Sequence, residues 1–304
     1  MPSITDIHWH TEQARKAEEY YLASLTPESS ASDWSEAVKL ARTLVRAALN
    51  ASNNLHNVES ALQSSGAHMR VFRHALAPPK SQDQFKHICG QWSKSSEVNA
   101  TRIRPDIASR CGVILRSWWD RKLTAWVESD RDPTTLEKRA FESSVVALIA
   151  SQEVATETRK RLAAAQESQV VELLLANGWT KLPASPIDVR AALPAKHFMH
   201  RTRFATSTAT PQEVDIACGL PETYVLAMEC KVTNDHTNSV KRINDVLKKS
   251  DSWRSHWGSF IETAAMLQGV IKPNDIRRLL DAGVLVFWSH EVTIFEEWLR
   301  ARVP

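Results

Sequence analysis

The sequence predicts an α/β protein in which a helical N-terminal region precedes a central mixed β-sheet flanked by helices. Three observations carry this. Apolar residues recur every three or four positions almost without interruption from Thr11 to about Gly178. Beyond Gly178 the period changes to short strand-like runs alternating with helical stretches, the pattern of a layered α/β structure. A chain of 304 residues with 43% hydrophobic content can also bury one large core or two ordinary ones.

Taken in order, Trp34 to Leu49, Ile107 to Val127 and Leu136 to Leu175 carry the helical period. Pro105 and Pro133 stand where proline favours a helix start, and Asn177-Gly178 is a stop signal. Ala-Pro-Pro-Lys at 77–80 and Ser-Lys-Ser-Ser at 93–96 read as loops. In the second region His197 to Ala205, Glu213 to Gly219, Tyr224 to Val232, Ser259 to Leu267 and Val284 to His290 read as strands. Helices are predicted between and after them at Ser239 to Lys249, Pro273 to Ala282 and Val292 to Arg302. The domain boundary is therefore placed near residue 131, with a helical domain over 1–130 and an α/β domain over 131–304 entered through a long helix.

Composition excludes several classes of function. The apolar runs VVELLL (170–175) and VLVFW (284–288) fall far short of the roughly 20 residues of a membrane span, and Met1 to Tyr20 is too charged for a signal peptide. No membrane partner and a cytoplasmic location are expected. Cys89, Cys111, Cys218 and Cys230 lack CxxC spacing and are expected as reduced packing residues. The net charge of +3 permits a nucleic-acid partner without demonstrating one. No phosphate-cradling Gly-rich loop and no nucleophile elbow is visible, so no nucleotide cofactor is expected. His8-Trp9-His10 has a metal-compatible spacing but no third ligand, and Trp118, Trp119, Trp126, Trp253 and Trp257 are expected to pack in the core.

The stretch YVLAMECKV (224–232) reads as a buried strand, yet it holds a carboxylate and an ammonium two positions apart. Alternation puts Leu226, Met228, Cys230 and Val232 on one face and Val225, Ala227, Glu229 and Lys231 on the other. The preceding strand reaches it through Gly219 to Thr223, a link that suits a hairpin. With the turn centred near Pro221, Asp215 falls opposite Ala227 and Glu213 opposite Glu229, making Asp215 and Glu229 diagonal neighbours roughly 7–8 Å apart. Like charges so placed destabilise a sheet unless something positive lies between them. A divalent cation that prefers oxygen ligands, Mg²⁺ above all, fills that role with Lys231 beside it. Asp215 and Glu229 are the expected metal ligands, and a bare exposed ion pair is the ordinary alternative.

These residues resemble the PD-(D/E)XK nuclease superfamily, in which an acid on one strand is followed by (Asp/Glu)-x-Lys on the next; here they are Asp215 and Glu229-Cys230-Lys231, with Val214 where a proline is usual. The resemblance extends along the chain to type II restriction endonucleases of the XamI kind. It is carried by APPKSQDQF (77–85), QWSKSSE (91–97), QESQVVELLLANGW (166–179), EVDIACGL (213–220), MECKVTNDHTNSVKRIND (228–245) and GVLVFWSHE (283–291). It implies a restriction-endonuclease-like core and site-specific hydrolysis of double-stranded DNA with Mg²⁺, Mn²⁺ being able to substitute. It also implies a homodimer acting on a palindromic site within a restriction-modification system. Glu167, about three helical turns before Gly178-Trp179, matches a glutamate that many of these enzymes place on the opening helix. Glu172 lies about 140° around the same helix and is the fallback. The expected catalytic set is Asp215, Glu229, Lys231 and Glu167.

For DNA contact, Asn238, Ser239, Lys241 and Arg242 begin the predicted helix after the catalytic strand, where unpaired N–H groups and basic side chains attract phosphate. The polar stretches Lys80-Ser81-Gln82-Asp83-Gln84 and Ser93-Lys94 match the family, and their side chains suit base or phosphate contact. Expected contacts there are Lys80, Ser81, Gln82, Gln84, Ser93 and Lys94. Two alternatives remain open: a structure-selective or repair nuclease with the same core, and a DNA-binding protein whose nuclease core is silent.

Overall fold

The computed structural model describes residues 4–208 and 210–303. Its helices and strands are, in chain order, α1 (Ile7–Ala23), α2 (Pro27–Ala51), α3 (Val58–Ser64), α4 (Met69–His74), α5 (Gln82–Ile88), α6 (Lys94–Val98), α7 (Pro105–Trp118), α8 (Ala125–Glu128) and α9 (Thr135–Ala176). There follow β1 (Thr180–Lys181), β2 (Pro186–Ile187), β3 (His197–Phe204), β4 (Gln212–Gly219), β5 (Val225–Thr233), α10 (His236–Trp257), β6 (Ile261–Gly269), α11 (Pro273–Asp281), β7 (Leu285–Trp288) and α12 (Thr293–Arg302). The fold is mixed α/β, as the change of period at Gly178 predicts.

The chain divides into two compact units, and the division falls inside α9 rather than before it: Pro27–Glu157 forms one unit, and residues up to Thr26 join everything from Thr158 in the other. The N-terminal segment leaves the expected helical domain because Ala14 and Ala17 of α1 pack among Leu267, Ile276 and Trp288. His10, of the His8-Trp9-His10 stretch, is buried and accepts a hydrogen bond from the Trp288 indole (3.0 Å), whereas His8 is exposed.

In the helical unit, Val45, Leu49, Leu62, Phe72, Leu115, Trp126 and Phe141 share one core. Pro105 opens α7 as predicted. Pro133 instead precedes a reciprocal cap: the Thr134 hydroxyl accepts from the Glu137 amide (3.2 Å) while Glu137 Oε2 accepts from the Thr134 amide (2.8 Å). The helix predicted over Ile107 to Val127 ends at Trp118, where Leu76 bridges to Trp119 and the Asp120 carboxylate accepts the Lys122 amide (2.9 Å). That break leaves Trp118 39% exposed, against the expectation that it is core, whereas Trp119, Trp126, Trp253 and Trp257 are buried. Among the described residues all four cysteines are free and buried, with Cys89 Sγ 3.4 Å from Cys111 Sγ.

The α/β unit is built on a mixed sheet of order β1-β3-β4-β5-β6-β7, with β2 also paired to β3. β3, β4 and β5 are antiparallel neighbours, and β5, β6 and β7 run parallel. Both faces are covered. Leu226, Met228 and Cys230 pack with Val170 and Leu174 of α9 and Phe295 and Trp298 of α12. Val225 and Ala227, on the other face, lie with Trp253 and Trp257 of α10. Every residue of β5 but Val232 is therefore buried, as a central strand between two helical layers requires.

Candidate active site

β5 carries its two charged residues on the face covered by α10. Glu229 is completely buried and Lys231 is 8% exposed. Lys231 Nζ lies 2.6 Å from Glu229 Oε2, 3.5 Å from Asp215 Oδ2 and 3.7 Å from Asp245 Oδ2. Asp215 and Glu229 thus reach the same ammonium nitrogen from adjacent strands.

The hairpin that brings them together is offset by two residues from the predicted register. Gly219 pairs with Val225 and Ile216 with Met228, which centres the turn on Glu222 rather than Pro221. The link folds as a short 3₁₀ turn with Glu222 in a left-handed conformation (φ 57°). An even offset preserves the faces. It moves Asp215 from a diagonal position to one directly beyond the last pair, across from Glu229, and it removes Glu213 from that position. Glu213 instead faces Arg203 of β3 and pairs with it at 3.0 Å. Past the end of the ladder, the Cys230 amide donates to Asp215 Oδ2 (2.7 Å) and anchors the carboxylate.

Two further charges come from α10. Lys249 Nζ donates to Glu229 Oε2 (2.8 Å), and Asp245, one turn earlier, faces Lys231. The helix returns over β5 in the opposite direction, so Asp245, Lys249 and Trp253 pass successively over Lys231, Glu229 and Ala227. Burial pushes the Glu229 carboxyl up, and Asp215 acts in the same sense against the two ammonium groups. Burial works against the Lys231 charge, but Glu229 and Asp215 outweigh it and hold the ammonium above its ordinary range. Sequence reasoning missed Lys249 and Asp245. Their spacing of four on a helix was visible, but such a pair ordinarily belongs to a solvated face.

Glu167 of α9 is buried and lines a cleft with Asp215, whereas Glu172 is exposed. Glu167 accepts from His200 Nε2 (2.6 Å) and Arg201 Nε (2.8 Å). Burial alone would raise its carboxyl, but the hydrogen bonds from Arg201 and His200 prevail and hold it below the usual range. Glu167, Arg201, Arg203, Glu213 and Asp215 together line a cleft of about 340 Å³.

The donors suit a hard divalent cation. Glu229 Oε1 is buried and makes no hydrogen bond, while Oε2 faces two ammonium groups that stand where positive charge is needed. Asp215 supplies a second carboxylate. No cluster of three or more His, Cys, Asp or Glu arranged to hold a metal occurs among the described residues. Two carboxylates with water and substrate oxygens completing the shell is a common Mg²⁺ arrangement, so the residues present fit that ion.

The expected DNA contacts are dispersed. Lys241 and Arg242 are exposed on α10. Ser239 is fully buried and donates to Asp275 (3.0 Å), which removes it from the surface. The helix begins earlier than predicted, at His236, and is capped by Asp235, whose Oδ1 accepts the Asn238 amide (2.8 Å). Asn238 also donates its side chain to Asp235 and Asn234. The N-terminal end of α10 therefore already holds a carboxylate where phosphate was expected.

In the helical unit, residues 77–80 are non-helical as predicted, whereas Gln82 to Gln84 and Lys94 to Ser96 are the starts of α5 and α6. Ser81 and Gln84 form a capping box, and Gln82 donates to the buried Glu97 (2.9 Å). Lys94 is paired with Asp83, and Ser93 with Ser95 (2.7 Å). Lys80 Nζ sits 4.3 Å from the ring centre of the exposed Trp118.

The family profile described as XamI restriction endonuclease matches residues 53–288, which takes in the whole cluster around Lys231. The chain belongs to the XamI restriction endonuclease family. The type II restriction enzyme XamI of Xanthomonas campestris pv. amaranthicola is 32% identical over 194 residues, 62% of this chain and 67% of that enzyme. Membership of the XamI family makes the chain a type II restriction endonuclease by descent, a class that cuts DNA at specific sites. Among solved structures, protein VC1899 from Vibrio cholerae aligns with 91% of this chain and 58% of its own length, at 10% identity and a TM-score of 0.31, a level that carries no argument.

Proposed function

We propose that this XamI-family chain is a Mg²⁺-dependent nuclease of the PD-(D/E)XK type. It cleaves both strands of a short palindromic site as a homodimer, in the cytoplasm, as part of a restriction-modification system. The observation that carries the reading is the approach of Asp215 and Glu229 to one Lys231 nitrogen, within 3.5 Å of each.

Asp215 and Glu229 would hold the metal, with Asp215 oriented by the Cys230 amide. When bound, Mg²⁺ supplies charge neutralisation at the phosphate and a more acidic water. In the reaction a P–O bond forms to the water oxygen and the P–O bond to the departing sugar oxygen breaks, while the water gives up a proton to solvent and the departing oxygen takes one up. Lys231, kept protonated by the acids around it, orients the water and donates to a phosphate oxygen as negative charge accumulates there. Lys249 holds Glu229 in place from the helix side. Glu167, already engaged by His200 and Arg201, completes the site through those partners.

Lys241 and Arg242 serve the DNA backbone beside the catalytic strand. The helical domain is assigned to recognition, with Lys80, Ser81, Gln82, Gln84, Ser93 and Lys94 as its contacts. Plasmid incubated with MgCl₂, followed by run-off sequencing of the ends, tests the reading. Discrete fragments with a common end sequence are expected. A requirement for lesions or junctions would favour a repair nuclease, and DNA binding without any cleavage would favour a silent core.

A further inference from the structure

Arg201 stands out on grounds independent of the Asp215, Glu229 and Lys231 motif. It lies in the interior of β3, yet its backbone is left-handed, with φ of 54°. For a long side chain that conformation costs on the order of 1–2 kcal/mol and persists only where the surroundings impose it. The β3–β4 ladder is regular on either side, with His200 opposite Ile216 and Thr202 opposite Val214, and it skips only the pair between them. That pair is Arg201 and Asp215. The strained residue of the strand therefore faces a proposed metal ligand.

The strained backbone places the guanidinium against Glu167, with Nε 2.8 Å from Oε2 and Nη2 3.3 Å from Oε1. Nη1 makes no hydrogen bond among the described residues. The side chain is 63% exposed and lines the cleft that also contains Asp215 and Glu213. A phosphate entering this cleft meets carboxylates on most sides. Arg203 is already matched by Glu213, and Lys231 is buried among three acids. Of the two exposed arginines of the cleft, Arg201 is the one across from Asp215, and with Nη1 free its planar fork suits two phosphate oxygens at once.

We propose that Arg201 is a further catalytic residue that grips the non-bridging oxygens of the scissile phosphate, and that Glu167 acts as its positioning residue, holding the guanidinium ready before DNA enters. The inference rests on the nuclease reading above and adds to it a named phosphate contact.

The test uses the full chain with Arg201→Gln, Arg201→Lys and Arg201→Gly. Glycine adopts the left-handed conformation without strain, so in Arg201→Gly relief of the backbone offsets part of the loss of the Glu167 partner, and its melting temperature, read beside that of Arg201→Gln, separates loss of the side chain from misfolding. Binding is followed by fluorescence anisotropy in CaCl₂ across a salt series, on a short duplex spanning the site mapped from the plasmid digest and on a scrambled duplex. Single-turnover cleavage is measured in MgCl₂. Arg201→Gln and Arg201→Gly are expected to lower the slope of log affinity against log salt by about one and to slow cleavage about 100-fold. Arg201→Lys should keep the slope and lose about tenfold in rate, because the charge remains without the fork.

A lower slope with an unchanged rate would mean a phosphate away from the reacting centre, and a lower rate with an unchanged slope would mean that Arg201 only positions Glu167. Either result overturns the proposal, as does a Gly variant indistinguishable from wild type. Failure of the wild-type protein to cut any DNA would count instead against the nuclease reading, and the salt slope on the scrambled duplex would still report whether Arg201 meets phosphate.

Discussion

Glu229 is a carboxylate with no access to water, held by two ammonium groups on a single oxygen. Removing one partner of such a buried pair ordinarily costs several kcal/mol, so the arrangement is a poor choice for stability alone. Lys231→Ala is expected to slow plasmid cleavage about 100- to 1,000-fold, the scale of losing one preorganised donor to a developing charge. Affinity for the same duplex in CaCl₂ should stay within a few-fold, and near wild-type cleavage would remove Lys231 from the mechanism. A second residue-scale effect lies in the helical unit, where burial and the Arg73 guanidinium hold the His74 imidazole down to about 4. Because this is below the ordinary value of 6.5, the unfolded chain takes up the proton first as pH falls. Stability from this group is fully present above about 6.5 and is lost towards about 4, by ~3 kcal/mol in all. Melting temperatures across that range should fall less steeply for His74→Asn than for wild type.

At the level of elements, the β4–β5 hairpin decides whether Asp215 meets Glu229. Gly219 closes it opposite Val225, and a Cβ there would lie 2.0 Å from the Pro194 carbonyl oxygen and 2.5 Å from that of Leu193. Both obstacles are backbone and cannot swing aside. Gly219→Ala is expected to cost about 1–3 kcal/mol and to reduce cleavage by displacing Asp215, read as a lower melting temperature together with slower plasmid digestion. α10 is the other decisive element. Trp253 stacks edge-on against Phe204, with ring centres 6.0 Å apart, and seats the helix that carries Lys249 over Glu229. On its exposed side, Lys241→Ala and Arg242→Ala should each weaken binding to all duplexes alike and lower the salt slope by about one, measured by anisotropy in CaCl₂.

For the whole molecule, one chain contains one Asp215, Glu229 and Lys231 cluster, and a palindromic site presents two equivalent phosphates. Two copies related by a two-fold axis satisfy both. Sedimentation at working concentration is expected to give twice the 34.2 kDa chain mass. EDTA should stop cutting, with CaCl₂ restoring binding alone, and cleavage that persists in EDTA would dismiss the metal. No helix among the described residues is long and apolar enough to cross a membrane.

The residue order by itself determined the strand that carries Glu229 and Lys231, the acid on the strand before it, the parity that puts all three on one face, and the change from helices to alternating strands at Gly178. These follow from local rules, because side-chain alternation and helical period need no knowledge of distant partners. Only the tertiary structure decided the rest. The hairpin register depended on where an irregular five-residue link turned, and Ser239 lost its surface role because Asp275 of α11 comes down on it. Lys249 reached Glu229 because α10 folds back over β5, while Arg201 acquired its left-handed backbone beside Glu167 from α9. Each of these joins residues from separate elements, and the packing that brings them together is a property of the folded chain.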